Sequence, residues 1–271
     1  MVLTVFLILL ALVALTLFLI APSPTGRAES WRGTLFAHRG LHGNGVAENT
    51  LPAFDRACRA GYGIELDVQL SRDGAVMVFH DDDLKRMTQD GRRVDEVDRA
   101  ELQSMSLPGD GSIPTFAEAL ALIDGRAPLL VELKNGRQNR KLCEDTLKLL
   151  RAYPGKYLVE SFNPLILRWF RRNAPDVIRG QLVGARPAYI ASHFGMAGAL
   201  ALSTLSLNFL ARPDFVAYDV SAEHFTAPKI QRALFRTPMA AWTVRDAKTC
   251  AQCLSRGEMP IFEGFLPEKG T

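Results

Sequence analysis

The feature that most constrains the fold of this chain is a regular alternation of short apolar runs with longer amphipathic stretches after residue 33. Eight runs have the length and composition typical of strands: Thr34–His38, Gly63–Val68, Leu129–Lys134, Tyr157–Phe162, Ile178–Val183, Phe215–Val220, Met239–Val244 and Pro260–Phe265. Helix-type stretches lie between them: Thr50–Ala60, Thr115–Ile123, Asn139–Tyr153, Pro164–Asn173 and Asp246–Ser255. Alternating strands and helices build a parallel sheet, and eight such units close into a barrel. The sequence therefore predicts an α/β fold, a (β/α)8 or TIM barrel, over residues 34–271.

Two segments depart from the simple alternation. Val68–Ser71 and Val76–His80 are β-type runs joined by Arg72-Asp73-Gly74, and Asp-Gly is a strong hairpin signal. We interpret them as the second barrel strand passing beyond the rim and folding back, which returns His80 to the end of that strand. A polar excursion, residues 81–112, follows this hairpin. The stretch Gly184–Arg212 is apolar enough for one long helix or two short ones.

The N-terminal segment has a composition unlike the rest of the chain. From Met1 to Ala21 the only polar side chains are Thr4 and Thr16, and the first charged side chain is Arg27. A helix of about 20 apolar residues spans the roughly 30 Å core of a bilayer. The sequence therefore predicts a transmembrane anchor over residues 1–21, a linker over 22–33 and a membrane-bound barrel.

A cleaved secretory signal peptide is the alternative interpretation of this segment. Three features oppose it: no Lys or Arg precedes the apolar run, the run is long for a signal peptide, and Gly26-Arg27-Ala28 is a poor cleavage site. Arg27 and Arg32 follow the span, so the positive-inside rule favours a single-pass protein with its catalytic domain on the cytoplasmic side.

Composition narrows the classes of partner and cofactor. The net charge is only +3, and no block of Lys and Arg interleaved with aromatic residues is present, which argues against nucleic-acid binding. The four cysteines fall in helix-type segments: Cys58, Cys143, Cys250 and Cys253. Cys250 and Cys253 have redox spacing, but no second pair completes a zinc site, so we expect buried or idle thiols.

Acidic side chains recur at the ends of two neighbouring strands. Glu65 and Asp67 are two residues apart, so they share one face of a strand, and Glu132 and Lys134 repeat this spacing on the next barrel strand. Three carboxylates at adjoining strand ends repel one another unless a cation lies between them. Oxygen ligands of this kind suit Mg²⁺, Ca²⁺ or Mn²⁺. Ordinary salt bridges with Arg39 and Lys134 are the alternative interpretation.

Two histidines fall where they would face this acidic cluster. His38 ends the first predicted strand, and His80 ends the returning strand of the hairpin. Paired imidazoles divide the work of general base and general acid at neutral pH. Arg39 and Lys134 would supply positive charge for a phosphate group.

Short motifs occur along the chain in the order and spacing of the glycerophosphodiester phosphodiesterases, which the sequence therefore resembles. The match spans residues 36 to about 245, and its N-terminal block is highly specific. The motifs are Phe36-Ala-His-Arg-Gly40, Glu48-Asn-Thr50, Ala53-Phe54, Gly63-Ile-Glu-Leu-Asp-Val68, Arg72-Asp-Gly74, Val78-Phe-His-Asp81, Arg86-Met-Thr88, Val131-Glu-Leu-Lys134, Ser161-Phe-Asn163 and Trp242-Thr-Val244.

The resemblance implies a TIM-barrel hydrolase that splits a glycerophosphodiester into glycerol 3-phosphate and an alcohol. The positions that match the family's functional residues are Glu65, Asp67 and Glu132 as metal ligands, His38 and His80 as the acid–base pair, Arg39 and Lys134 as phosphate contacts, and Trp242 as an aromatic wall of the substrate pocket. The sequence departs from the family at the last strand. Ile261-Phe-Glu-Gly-Phe265 stands there instead of the common Gly-Ile-x-Thr-Asp-like ending, which affects pocket shape and substrate choice.

Two other functions compete with this one. The anchor would confine the barrel near the bilayer, which makes a lysophospholipase D-type activity on membrane lysophospholipids the nearest rival. A catalytically inactive, membrane-tethered binding module is the rival of another class. The presence of both histidines and all three carboxylates speaks against the inactive module.

Overall fold

The chain forms the expected closed barrel in a computed structural model that describes residues 1–184, 195–223 and 225–268. The strands are β1 (Phe36–Ala37), β2 (Gly63–Leu70), β3 (Val76–Val78), β4 (Ser106–Leu107), β5 (Gly111–Ser112), β6 (Leu129–Leu133), β7 (Tyr157–Ser161), β8 (Arg179–Val183), β9 (Phe215–Asp219), β10 (Met239–Val244) and β11 (Met259–Phe262). Parallel pairing runs from β1 through β2 and β6 to β11, and β11 pairs with β1 to close the barrel. The predicted TIM barrel is confirmed.

Helices lie between the barrel strands along the chain, and one further helix precedes the first strand. They are α1 (Val2–Ile20), α2 (Leu51–Ala60), α3 (Lys85–Thr88), α4 (Arg99–Ser104), α5 (Phe116–Ile123), α6 (Asn139–Ala152), α7 (Pro164–Asn173), α8 (Gly195–Ser203), α9 (Asn208–Ala211), α10 (Thr226–Ala233) and α11 (Ala247–Ser255). Side-chain caps fix several helix starts. Thr115 and Glu118 form a reciprocal capping box on α5, and Asp246 accepts a hydrogen bond from the Thr249 amide on α11.

The first and last barrel strands are shorter than predicted. β1 covers only Phe36–Ala37, so His38 follows the strand, although its amide still donates to the carbonyl of Phe262. β11 ends at Phe262 rather than Phe265, because the chain then turns at Gly264, whose φ is +81°. Of the apolar stretch predicted as one or two helices, the described part forms α8 and α9, and residues 185–194 lie outside the described residues.

Side chains alternate between two apolar layers along the barrel strands. On β2, Ile64, Leu66 and Val68 face the surrounding helices, as the sequence pattern predicts. Phe54 of α2 and Phe116 of α5 belong to the same layer. A second cluster fills the barrel interior towards the amino ends of the strands: Phe36, Leu130, Leu158, Leu182, Phe215, Met259 and Ile261. Polar inward-facing residues are therefore left at the carboxyl ends, where TIM barrels carry their functional groups.

The predicted hairpin is present, but the excursion that follows it is not simply polar. β2 and β3 pair antiparallel, with Val68 opposite Val78. Apolar residues scattered between charged ones in residues 77–113 then build a small core of their own: Met77, Phe79, Leu84, Val94, Val97, Leu102, Leu107 and Ile113. These apolar residues occur singly among charged ones, so the segment has a core of its own although its composition is polar.

The segment predicted as a linker is packed against the barrel. Ala28 and Trp31 are buried and join the apolar cluster at the amino ends of the strands. Arg27 forms an ion pair with Asp214 at 3.1 Å, and the amide of Ser23 donates to the carbonyl of Pro213. These contacts hold residues 23–31 against the barrel instead of leaving them as a free tether.

The N-terminal helix α1 is long and apolar enough to cross a membrane. Its mean hydropathy is 3.1, and Ile20 is its one buried residue. A signal sequence near the N-terminus would meet the same criteria of length and hydropathy.

The four cysteines are buried and free, as expected. Burial raises the pKa of the Cys143 thiol to about 12 and that of the Cys253 thiol to about 11, so neither is poised for redox chemistry.

Candidate active site

A cavity of about 790 Å³ opens at the carboxyl ends of the barrel strands. Seven of the eight residues predicted for the site line it: His38, Arg39, Glu65, His80, Glu132, Lys134 and Trp242. The eighth, Asp67, is 1% exposed and contacts the cavity residues Arg39 and Lys134.

Three buried carboxylates form the acidic centre of the cavity. Glu65, Asp67 and Glu132 each offer one oxygen, and these oxygens lie within 4.8 Å of one another. Parallel pairing of β2 with β6 places Asp67 directly beside Glu132. Lys134 reaches into the cluster, with Nζ 2.8 Å from Glu132 Oε1 and 3.4 Å from Asp67 Oδ1. Asn49 donates from Nδ2 to Asp67 Oδ2 at 2.8 Å.

Burial and mutual repulsion govern the charge of this cluster. Burial raises the pKa of Glu65 well above its ordinary value, and the charges of Asp67 and Glu160 add to the shift. Burial also opposes ionisation of Asp67, but the charges of Lys134, His80 and Arg39 outweigh it and lower the pKa of that carboxyl. The donors are all carboxylate oxygens, and repulsion between them is only partly offset, so the cluster could hold a hard divalent cation.

His38 is held by an unpredicted carboxylate. Its Nδ1 lies 2.6 Å from Glu263 Oε2, and its Nε2 lies 4.0 Å from Glu65 Oε2. Burial lowers the pKa of His38, whereas the hydrogen bond from His38 lowers the pKa of Glu263 to about 2. A neutral imidazole that donates Nδ1–H to an ionised Glu263 satisfies both directions, and it leaves Nε2 unprotonated on the side of the acidic cluster.

His80 belongs to a chain of ion pairs at the cavity rim. Its Nδ1 lies 2.6 Å from Asp81 Oδ1, and Arg86 Nε lies 2.6 Å from the other oxygen of Asp81. Arg86 also pairs with Glu48, which accepts from Arg39 at 2.8 Å. Burial opposes ionisation of Asp81, but hydrogen bonds from His80 and Arg86 outweigh it and lower its pKa. The chain of contacts thus links His80 to Arg39 across the rim.

Comparison with known proteins adds a decisive observation. The model of the glycerophosphoryl diester phosphodiesterase family matches residues 38–263. The chain belongs to this family. The match includes every residue that lines the cavity, from His38 to Glu263.

Two curated relatives are named glycerophosphodiester phosphodiesterases. A glycerophosphodiester phosphodiesterase of Bacillus altitudinis is 34% identical over 160 residues, which cover 53% of this chain and 63% of the relative. One of Caldanaerobacter subterraneus subsp. tengcongensis is 34% identical over 161 residues, covering 55% and 65%. The chain thus spans just under two thirds of these relatives. A solved Oleispira antarctica phosphodiesterase, in complex with the product sn-glycerol-3-phosphate, is 25% identical with a TM-score of 0.69, covering 87% of this chain and 94% of that one.

Six carboxylates that line the cavity were not predicted as site residues: Glu48, Asp81, Asp82, Glu160, Asp219 and Glu263. Glu160 had an available signal, since it alternates with the outward-facing Val159 just as Glu132 alternates with Val131. Asp81 adjoins His80, but adjacency alone does not show that the two side chains meet. Glu263 lies in the segment that departs from the family pattern, where no role was predicted.

Glu160→Gln tests whether ionisation of buried Glu160 beside Glu132 destabilises the fold. Glu160 pairs in register with Glu132, is buried, and its Oε2 has no hydrogen-bond partner among the described residues. Burial and the charge of Glu132 raise the pKa of Glu160 well above 4.5. A raised folded-state pKa contributes stability that is present below the unfolded pKa and is lost as pH rises towards the folded pKa.

In chelator-treated protein, Glu160→Gln should therefore be more stable than the parent above pH 4.5. The advantage should grow by about 1.4 kcal/mol, or about 3–6 °C in Tm, for each pH unit until the folded pKa is reached. Thermal melts between pH 5 and 8 measure it. Glu144→Gln, which removes an exposed carboxylate on α6, serves as the control and should show no trend. A Tm difference that does not change with pH would contradict a destabilising Glu160.

Proposed function

We propose that this protein hydrolyses glycerophosphodiesters to glycerol 3-phosphate and an alcohol. The observation that carries the proposal is that His38 and His80 line one cavity with Glu65 and Glu132, which form an acidic cluster with the adjoining Asp67. Family membership and the glycerol 3-phosphate complex of the Oleispira relative support the substrate class. The proposed catalytic domain spans residues 34–271.

Glu65, Asp67 and Glu132 are proposed to hold a divalent cation, Mg²⁺, Ca²⁺ or Mn²⁺. Their fit rests on the donor chemistry, because each is a buried oxygen ligand in a group whose mutual repulsion a cation would relieve. When bound, such a cation supplies charge neutralisation at a phosphate oxygen and eases deprotonation of the glycerol hydroxyl. Arg39 and Lys134 are proposed to contact the phosphate, Arg39 by its planar fork and Lys134 as a point charge.

His38 is proposed as the base of the first step. Its Nε2 takes the proton of the glycerol hydroxyl as that oxygen attacks phosphorus and forms a cyclic phosphate. His80 donates its proton to the departing alcohol oxygen as the bond between phosphorus and that oxygen breaks, while Asp81 orients the ring through Nδ1. His80 then takes a proton from the attacking water. His38 returns its proton to the glycerol oxygen, so the cycle consumes one water.

Trp242 is proposed as a wall of the substrate pocket. It lines the cavity and packs edge-to-face on Phe162, with ring centroids 5.8 Å apart. Its indole Nε1 is buried without a hydrogen-bond partner among the described residues. An unpaired donor beside the cavity is suited to a substrate oxygen.

Replacing Glu263 by Gln tests how His38 is positioned. Gln keeps the side-chain length but removes the ionised acceptor, so both the ring orientation and the tautomer of His38 become less defined. We expect kcat to fall by about 10–100-fold with a smaller change in KM, by analogy with loss of other orienting partners. The hydrogen bond from His38 to Glu263 raises the pKa of His38, so the acid limb of the kcat/KM profile should also move to lower pH. Unchanged kcat and an unmoved limb would show that Glu263 has no positioning role.

A substrate panel decides between this activity and its rivals. Glycerophosphocholine and its acylated counterpart, lysophosphatidylcholine, would each be assayed with Mg²⁺, Ca²⁺ and Mn²⁺. The proposal expects metal-dependent release of glycerol 3-phosphate from glycerophosphocholine. Faster turnover of the lysophospholipid would establish the lysophospholipase D-type rival instead, and no turnover of either would favour an inactive binding module.

Helix α1 is proposed to remain as a single transmembrane anchor over residues 1–21, with the catalytic domain on the cytoplasmic side. Cleavage near Ala28 would remove residues that pack against the barrel. Arg27 forms an ion pair with Asp214, and the amide of Ser23 donates to the carbonyl of Pro213. We therefore expect mass spectrometry of the membrane fraction to detect peptides that contain residues 2–21. A mature N-terminus near Glu29 would contradict the anchor.

A further inference from the structure

A second cavity, of about 340 Å³, lies on the outside of the barrel. Among the described residues, its lining consists of three arginines of α7 and two apolar residues of α9. We call it the arginine pocket, defined by Arg168, Arg171, Arg172, Phe209 and Leu210. None of these residues lines the catalytic cavity.

The part of the chain that the structure describes does not neutralise the positive charge of the arginine pocket. Among the described residues, no carboxylate lies within ion-pair distance of Arg168, Arg171 or Arg172. Arg171 instead donates to the carbonyls of Phe209 at 3.0 Å and Leu210 at 3.1 Å, which fixes its guanidinium at the pocket. Burial lowers the pKa of Arg212, and the charge of nearby Arg171 lowers it further.

The arginine pocket adjoins the end of α1. The rings of Phe18 and Phe209 lie 6.3 Å apart. Asn208 and Gln231 donate to the carbonyl of Ile20 at 3.1 and 2.7 Å. Arg212 donates to the carbonyls at positions 18 and 21. These hydrogen bonds fix the last turn of α1 relative to α9. If α1 spans a bilayer, the arginine pocket therefore lies beside the point where the helix leaves the membrane surface.

We propose that the arginine pocket binds the phosphate of an anionic phospholipid in the bilayer that α1 enters. Guanidinium groups match phosphate oxygens in a fork geometry, and half-buried Phe209 and Leu210 suit the glycerol and upper acyl carbons. Basic residues beside a membrane helix attract anionic headgroups. The inference rests on the anchor proposed above. It does not depend on hydrolysis, since the two cavities share no residue.

The test uses the full chain in neutral detergent micelles, doped with phosphatidylglycerol or with phosphatidylcholine of the same acyl length. Phosphatidylglycerol should raise the Tm of the parent by about 3 °C or more over phosphatidylcholine. Arg168→Gln/Arg171→Gln/Arg172→Gln should lose most of this difference. The matched control is Arg59→Gln/Arg137→Gln/Arg140→Gln, which removes three positive charges from exposed arginines of α2 and the region of α6. This control should keep the Tm difference between the two lipids.

A double variant, Arg168→Gln/Arg172→Gln, keeps the test decisive if the triple variant misfolds, because it leaves the hydrogen bonds of Arg171 in place. Neither side chain has a hydrogen bond or ion pair among the described residues, so this double variant breaks no internal contact and should still lose part of the lipid response.

Several results would overturn the proposal. No effect of phosphatidylglycerol on the parent would do so, as would an equal effect on the triple variant and the control. Equal stabilisation by inorganic phosphate would assign the pocket to free anions rather than lipid. A purified chain that lacks residues 1–21 would refute the anchor and, with it, the lipid site.

Glycerophosphocholine hydrolysis, measured alongside, should be the same in the triple variant and the parent. A parent that binds the lipid but hydrolyses nothing would refute the proposed activity alone.

Discussion

Glu132→Gln is expected to reduce hydrolysis by at least about 100-fold at low concentrations of Mg²⁺, Ca²⁺ or Mn²⁺, and excess metal should restore part of it. Gln keeps the size of the side chain and one carbonyl oxygen but removes the negative charge that a hard cation binds. Even outer-sphere partners of metal ligands are worth about 10–100-fold in metal affinity, so loss of a ligand charge should exceed that range.

The structure also contains the competing explanation for this residue. Lys134 lies 2.8 Å from Glu132, so the carboxylate could serve only as an ion-pair partner. In that case Glu132→Gln would lower the Tm and leave the metal titration as in the parent. Activity against metal concentration is the measurement, with Tm recorded alongside and Glu144→Gln as a surface control. An unchanged titration midpoint would exclude Glu132 as a metal ligand.

The acidic cluster could be predicted because it follows from side-chain alternation within each strand and from a rule that holds for all parallel barrels. Alternation within a strand places Glu65 and Asp67 on one face, and the same rule applies to Glu132. Parallel barrel strands bring their carboxyl ends to one rim, which supplies the proximity that sequence spacing lacks. The observed register, Asp67 beside Glu132, needs no further information than these two rules.

The carboxylate partner of His38 and the ion pair between Arg86 and Glu48 could not be predicted in this way. His38 and Glu263 are 225 positions apart and meet only because β11 pairs with β1 to close the barrel. Arg86 and Glu48 meet because the excursion after the hairpin folds on a core of its own, which its charged composition conceals. Both contacts are products of packing between distant segments, and neither has a signature in the local sequence.

Leaving-group chemistry should separate the roles of the two histidines. On glycerophosphocholine, His38→Ala and His80→Ala should each lower kcat/KM by about 10²–10⁴-fold, the usual contribution of general acid–base catalysis. The prediction differs for glyceryl p-nitrophenyl phosphate, whose departing p-nitrophenolate needs no protonation. His80→Ala should release p-nitrophenol at close to the parental rate from this substrate, because an acid is no longer required in the first step.

His38→Ala should remain slow on both substrates, since the glycerol hydroxyl must still lose its proton before it can attack phosphorus. Release of p-nitrophenol, followed by absorbance, reports that attack and not the later opening of the cyclic phosphate. The environments of the two rings lead to the same assignment. Glu263 accepts Nδ1–H of a neutral His38 whose side chain is 12% exposed, and ionised Asp81 contacts His80, whose side chain is 31% exposed. Rescue of His38→Ala rather than His80→Ala by the activated substrate would reverse the assignment. Equal loss in both variants on both substrates would mean that neither ring acts on the leaving group.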